Sequence, residues 1–211
     1  MSSMQRRLPF PRGRRRGKAG RPKTGAAGVP HLRREALSPR EPVHVTLKAA
    51  AGTGFLRKQR MLVALEAVFA GAKERLGMRV VHYSIQGNHL HLLVEAEDRA
   101  ALSRAMQGLA IRAAKAINRV LRRHGHVWAD RYHAHVLRSL RETAHALRYV
   151  LGNFARHARG WGEQVAAFAD EFSSVRFLGL AGEDAPVAEP RTWMLRVGWR
   201  TDRAPRRPLP G

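Results

Sequence analysis

The sequence contains no cysteine. That excludes disulfides, thiolate zinc sites and a cysteine nucleophile, and it fits a reducing cytoplasm. Acidic residues are scarce, with 16 Asp and Glu against 39 Lys and Arg, so the formal net charge is +23 and the sequence pI is near 11.8. No apolar run approaches the roughly 20 residues of a membrane span, and the N-terminus lacks the hydrophobic centre of a signal peptide. The Arg-rich start imitates an organelle transit peptide, but its Gly and Pro work against an amphipathic helix.

What is present begins with the charge. An imbalance this large predicts a polyanionic partner, namely nucleic acid. Residues 1–42 hold 12 basic and 2 acidic residues, and residues 43–178 hold 21 and 10, so the excess is not confined to a tail. The first of these segments is rich in Arg, Gly and Pro with hardly a periodic apolar position. It reads as a disordered basic arm, suited to lie along phosphates and add affinity without sequence choice. With 211 residues and 44% hydrophobic content the remainder suffices for one compact domain with extensions. The divisions expected are 1–42 for the arm, 43–177 for the domain, and 178–211 for a linker with a short segment carrying two Trp and three Arg. That last segment either folds back on the domain or stacks on bases.

Val43 to Lys48 alternates strictly, with Val43, Val45 and Leu47 inward, and predicts a strand. Leu62, Leu65, Phe69 and Leu76 keep helical spacing, which predicts a helix over roughly 56–76 with Gly77 as its stop. Arg79 to Ile85 reads as a second strand, and Gln86-Gly87-Asn88 as the turn of an antiparallel hairpin. A long helix is expected from Asp98 to Arg123, capped by Asp98. Its apolar positions are Leu102, Met106, Leu109, Ala113, Ile117 and Val120. On its other side Arg104, Arg112, Lys115, Arg119 and Arg122 fall in one narrow sector at 100° per residue, with no acid among them. Surface helices usually mix signs, so this stripe reads as a phosphate-contacting ridge. Val127 to Leu137 reads as a loop entering an edge strand that holds a second pair, His133 and His135. These are either exposed edge histidines or contacts to metal or DNA.

The hairpin's second strand carries the most specific signal, Gly87-Asn88-His89-Leu90-His91-Leu92-Leu93-Val94-Glu95. Alternation places His89, His91 and Glu95 on one face, and Leu90, Leu92 and Val94 on the other. Adjacent imidazoles on an aliphatic strand need compensation. A divalent cation supplies it, and so does a set of structural hydrogen bonds. A further helix is expected over 141–157. Its apolar side is Leu147, Val150, Leu151, Phe154 and Ala158, and its polar side is Glu142, His145, Tyr149, Asn153 and Arg156. A tyrosine on a polar sector, one turn from an asparagine, is out of keeping with its usual inward packing.

The order strand, helix, strand, His-x-His strand, basic helix, strand, Tyr/Asn helix resembles the HUH single-tyrosine transposases. More narrowly, it resembles the REP-associated tyrosine transposases and their insertion-sequence relatives. The likeness covers roughly 43–177 and rests on His89-Leu90-His91, Trp128 to Tyr132, and Tyr149-Val150-Leu151-Gly152-Asn153. It implies an α+β fold, a ferredoxin-like antiparallel sheet with helices packed on it. It also implies that His89, His91 and Asn153 hold Mg²⁺ or Mn²⁺. Tyr149 would then attack a phosphate of single-stranded or hairpin DNA to leave a 5′-phosphotyrosine. His145 is a candidate to move the phenolic proton, and Arg156 to bind phosphate. A bacterial cytoplasmic, nucleoid-associated location is implied, with monomer and homodimer both open. The competing readings are a non-catalytic nucleic-acid-binding protein and a metal-dependent phosphodiesterase that uses water.

Overall fold

The structure, a computed structural model, describes residues 36–158, 170–178 and 185–201, the side chains of 153–158, 199 and 201 excepted. Five strands form one antiparallel sheet in the order β2-β3-β4-β1-β5. They are β1 (Val43–Lys48), β2 (Glu74–Arg75), β3 (Met78–Ile85), β4 (His89–Ala96) and β5 (His133–Val136). Three long helices, α1 (Gln59–Ala70), α2 (Arg99–Leu121) and α3 (Leu140–Ala158), pack on the sheet. With the two-residue β2 set aside, the order β3-β4-β1-β5 with helical crossovers is the ferredoxin-like arrangement of the α+β class.

Strand alternation divides the layers. Val43, Val45, Leu47, Leu90, Leu92 and Val94 point to one side, where they meet Leu62, Leu65 and Phe69 of α1 and Met106, Leu109 and Ile117 of α2. Each such side chain, fully buried, contributes about 1.5–3 kcal/mol. On the other side Val81 and Leu93 pack beneath Leu147, Val150 and Leu151 of α3, and this second core is smaller. A bulge between Val80 and His82 shifts the β3 register. It lets Val80 and Tyr83, three residues apart, face the same core.

Asp98 caps α2 as expected, its carboxylate accepting from Ala101 N–H at 2.6 Å. The end of α1 differs from expectation. The helix stops at Ala70, and Leu76, expected as its last apolar position, is exposed. Leu76 and Gly77 instead form the two-residue turn joining β2 to β3, with φ of 55° and 72°. Two positive φ values in succession match the twist of a tight hairpin, and Gly77 serves this turn rather than a helix stop.

The C-terminal segment folds back on the domain. A short helix α4 (Trp193–Arg196) starts at Thr192, whose hydroxyl accepts from Leu195 N–H. Its anchor is the buried Glu95 carboxylate on β4. That group accepts from Arg191 N–H at 2.9 Å, and from Thr192 N–H and Thr192 O–H at 2.8 Å each. Arg79 closes the charge at 3.4 Å. Leu195 then joins the core under α3.

Candidate active site

The sheet face beneath α3 is polar at one end. β1 lies beside β4, with Thr46 opposite His91 and Lys48 opposite His89, so His44 and Thr46 share the face of the His pair. The His89 and His91 rings are 4.6 Å apart and nearly perpendicular. His91 is buried, and its Nδ1 lies 3.1 Å from His44 Nε2 and 3.2 Å from Thr46 Oγ1. His89 places its Nδ1 2.7 Å from Asn88 Oδ1. In both rings Nδ1 is turned to a protein partner, and the Nε2 of His91 is buried.

Above them runs α3, started by a reciprocal cap. Glu142 N–H donates to Ser139 Oγ at 3.2 Å, and the Glu142 carboxylate accepts from Ser139 N–H at 3.2 Å and Arg138 N–H at 2.7 Å. The Arg138 N–H is the main reason that the Glu142 carboxyl is held below its usual range. Two turns on, half-buried Tyr149 lies over the imidazoles. Its ring is 4.9 Å from His91, edge-on at 80°, and 5.9 Å from His44. A phenol from one helix and imidazoles from two strands therefore converge within a single chain.

The His44 imidazole stays uncharged near neutral pH. Burial lowers the His44 pKa to about 4, and the neighbouring His135 and His133 push it the same way. These two lie on β5, opposite His44 and Thr46 respectively, and both are exposed on the edge strand. A cleft of about 560 Å³ opens beside the phenol, lined by His44, His135, His145, Arg141, Arg148 and Tyr149 among others. Its charged lining residues are Arg141, Arg148 and Glu142, a net positive set.

The donor set admits a divalent cation. Neutral imidazole nitrogens suit first-row ions such as Mn²⁺, and two of them leave most coordination positions to oxygen. Among the described residues no group of three His, Cys, Asp or Glu side chains is placed to hold an ion. A third donor would therefore be an amide, a hydroxyl, water or substrate oxygen.

Over residues 42–152 the sequence matches the family described as "Transposase IS200 like". The chain belongs to the IS200-like transposases. The matched span runs from β1 into α3 and includes His89, His91 and Tyr149. No curated protein matches the sequence. Of solved structures, a REP-associated tyrosine transposase bound to a REP hairpin is similar, with 17% identity and a TM-score of 0.51 over 74% of this chain and 90% of that one. At that identity the likeness speaks for the fold. A putative transposase from Deinococcus radiodurans R1 shows 12% identity and a TM-score of 0.40, over 65% of this chain and 96% of that one.

The other expected site residues of the transposase fall in three groups. His145 is exposed and lines the same cleft, one turn before Tyr149. Asn153 and Arg156 are on α3, but their side chains lie outside the described residues. Arg104, Arg112, Lys115 and Arg119 run along α2, which covers the opposite face of the sheet from Tyr149; the helix ends at Leu121 rather than Arg123, and Arg122 is its left-handed cap residue, outside the helical stripe. A larger cleft of about 910 Å³ lies on that far side, between α2 and the 125–132 loop, and includes Arg104 and Arg131. Of the expected site residues, Tyr149 and His145 line the smaller cleft.

His44 and Thr46 are members of the site that sequence reasoning missed. Alternation in Val43 to Lys48 already turned them away from the core. That β1 pairs with the His strand is a fact of topology that no local pattern carries.

Proposed function

We propose that this transposase cuts single-stranded or hairpin DNA with Tyr149 and rejoins it by strand transfer. The observation that carries the reading is the packing of the Tyr149 ring on His91, 4.9 Å between centroids, at the wall of a cleft with a net positive lining. The phenolic oxygen would attack a backbone phosphorus as the bond to the 3′-oxygen breaks. That forms a 5′-phosphotyrosine and releases a 3′-hydroxyl. The phenol gives up a proton and the departing 3′-oxygen takes one up. His145, on the same cleft, is the candidate carrier. Attack by a 3′-hydroxyl on the phosphotyrosine reverses the exchange, so strands rejoin with no external energy source.

His89 and His91 would hold Mg²⁺ or Mn²⁺ through Nε2, with Asn153 as the proposed third donor. A bound cation supplies Lewis-acid polarisation of the phosphoryl oxygens and orients the phosphate. Arg156, the α2 residues Arg104, Arg112, Lys115 and Arg119, and the cap residue Arg122 are proposed to contact DNA phosphates. The REP-associated relative is bound to a hairpin, which supports hairpin DNA as a substrate class here. The tyrosine and the histidines meet in one chain, which supports a cut made in cis, with monomer and homodimer both open.

The deciding experiment incubates the protein and Mn²⁺ with single-stranded and hairpin oligonucleotides labelled at the 3′ end, which the phosphotyrosine retains. A labelled adduct that survives denaturant is expected. It should vanish in Tyr149→Phe and in His91→Ala, with circular dichroism unchanged. Binding without an adduct would leave a non-catalytic DNA binder, and cleavage that persists in Tyr149→Phe would assign the attack to water.

A further inference from the structure

His44 has no place in the proposed reaction, yet its Nε2 is 3.1 Å from Nδ1 of buried His91. A neutral imidazole carries one N–H, and the nitrogen without it is the only one with a lone pair to give. His89 shows how that choice is made elsewhere in the site. Asn88 Oδ1, 2.7 Å from Nδ1, is an acceptor, so the proton is drawn to Nδ1 and the lone pair to Nε2. His91 needs the same tautomer if the two rings are to offer Nε2 lone pairs together. Its Nδ1 faces Thr46 Oγ1, at 3.2 Å, and His44 Nε2. A threonine hydroxyl both donates and accepts, so it does not set the tautomer alone. An imidazole nitrogen without a proton can only accept, so His44 protonated on Nδ1 does.

We infer that His44 is a positioning residue whose Nε2 accepts the His91 Nδ1–H, holding His91 in the tautomer that presents its Nε2 lone pair to a divalent cation. The inference rests on the reading of His91 as a cation ligand, and it concerns a second residue that orients that ligand. Register makes the contact possible: His44 lies opposite Leu93 on β1, two residues before Thr46, which lies opposite His91, so His44 reaches His91 diagonally across neighbouring strands. The ring of His44 also meets Tyr149 at 5.9 Å, so the same side chain braces the base of the phenol.

The test reads the tautomer directly in metal-free, DNA-free protein labelled with ¹⁵N-histidine. In the wild type we expect the His91 proton on Nδ1, and a ¹⁵N–¹⁵N coupling across the hydrogen bond to His44 Nε2. In His44→Phe, which keeps an aromatic ring without the acceptor, the His91 proton should move substantially to Nε2 while the His89 tautomer stays unchanged. Cd²⁺ affinity should fall by roughly 10-fold or more, and His44→Gln, whose amide oxygen can accept, should restore most of it. In wild type, Cd²⁺ should shift the Nε2 resonances of His89 and His91 and leave His44 without a coordination shift.

A wild-type His91 protonated on Nε2, or no coupling to His44, overturns the inference, and both are read without any variant that must fold. A direct coordination shift at His44 overturns it too, by making His44 a ligand. Wild type that holds the tautomer but takes up no Cd²⁺ would sink the cation-ligand reading, and with it the purpose assigned to His44, while a missing DNA adduct alone would count only against strand transfer.

Discussion

His82 and His91 sit on adjacent strands, yet only His91 packs against the Tyr149 ring. His82 is buried in β3 with its Nδ1 3.1 Å from Ser174 Oγ, a hydroxyl that also accepts from Tyr83 N–H. Burial lowers the His82 pKa to about 4. An unfolded chain takes up that proton near 6.5, so between the two values the unfolded state binds more protons, and stability rises with pH. Acidification from pH 7 to pH 5 should therefore remove about 2 kcal/mol through this group. Urea midpoints at the two pH values check the loss, and an NMR titration in which His82 protonates near 6.5 would contradict it. Tyr149 makes the opposite case. It is half-buried at a cleft wall, so loss of its hydroxyl in Tyr149→Phe should change stability by less than about 0.5 kcal/mol, the range of substitutions outside the core.

The β2–β3 hairpin and the C-terminal clasp hold the frame of the site. In the hairpin turn, exposed Leu76 takes a φ of 55°, which a leucine adopts only at a cost. Leu76→Asn should stabilise the protein by roughly 0.5–1 kcal/mol, seen as a rise of a few degrees in Tm, because asparagine tolerates that region and little packing is given up. The clasp is more demanding. Removing the Glu95 carboxylate in Glu95→Ala leaves the buried donors of Thr192 and the Nη1 of Arg79 without their acceptor, while Arg79 Nη2 keeps Glu74, at a cost of about 3 kcal/mol. Limited proteolysis should then cut near residues 191–200 before the sheet is attacked, and simultaneous cleavage throughout the chain would refute a local clasp. Sequence periodicity located most elements because apolar spacing follows directly from helix and strand geometry. It misplaced the end of α1 because Leu76 satisfies helical spacing by coincidence. A hairpin needs only two residues per strand here, too short to register as alternation.

With a net charge of +23, the molecule as a whole should bind nucleic acid in a strongly salt-dependent way. The basic stripe of α2 and the tyrosine cleft lie on opposite sides of one sheet. Changing Arg104, Arg112, Lys115, Arg119 and Arg122 to Gln should weaken binding evenly across sequences. It should also flatten the log–log salt slope by roughly 0.7–0.9 for every phosphate that is no longer neutralised. The chemical step on bound DNA should be little altered, which single-turnover adduct formation at saturating protein would report. An unchanged slope would remove the stripe from the interface. Among the described residues no helix is long and apolar enough to cross a membrane.

By itself the sequence determined the quantities that depend on neighbours along the chain. These are the charge, the absence of cysteine chemistry, the alternation that pairs His89 with His91, and the i, i+4 placement of Tyr149 and Asn153. The tertiary structure alone decided what depends on strand order and register. It set β1 beside β4, brought His44 to His91, put the basic helix behind the sheet, and folded residues 191–200 onto Glu95. The physical reason is that side-chain facing is a local property of backbone geometry, whereas contact between segments 47 residues apart, as for His44 and His91, is selected by burial of the whole apolar surface at once.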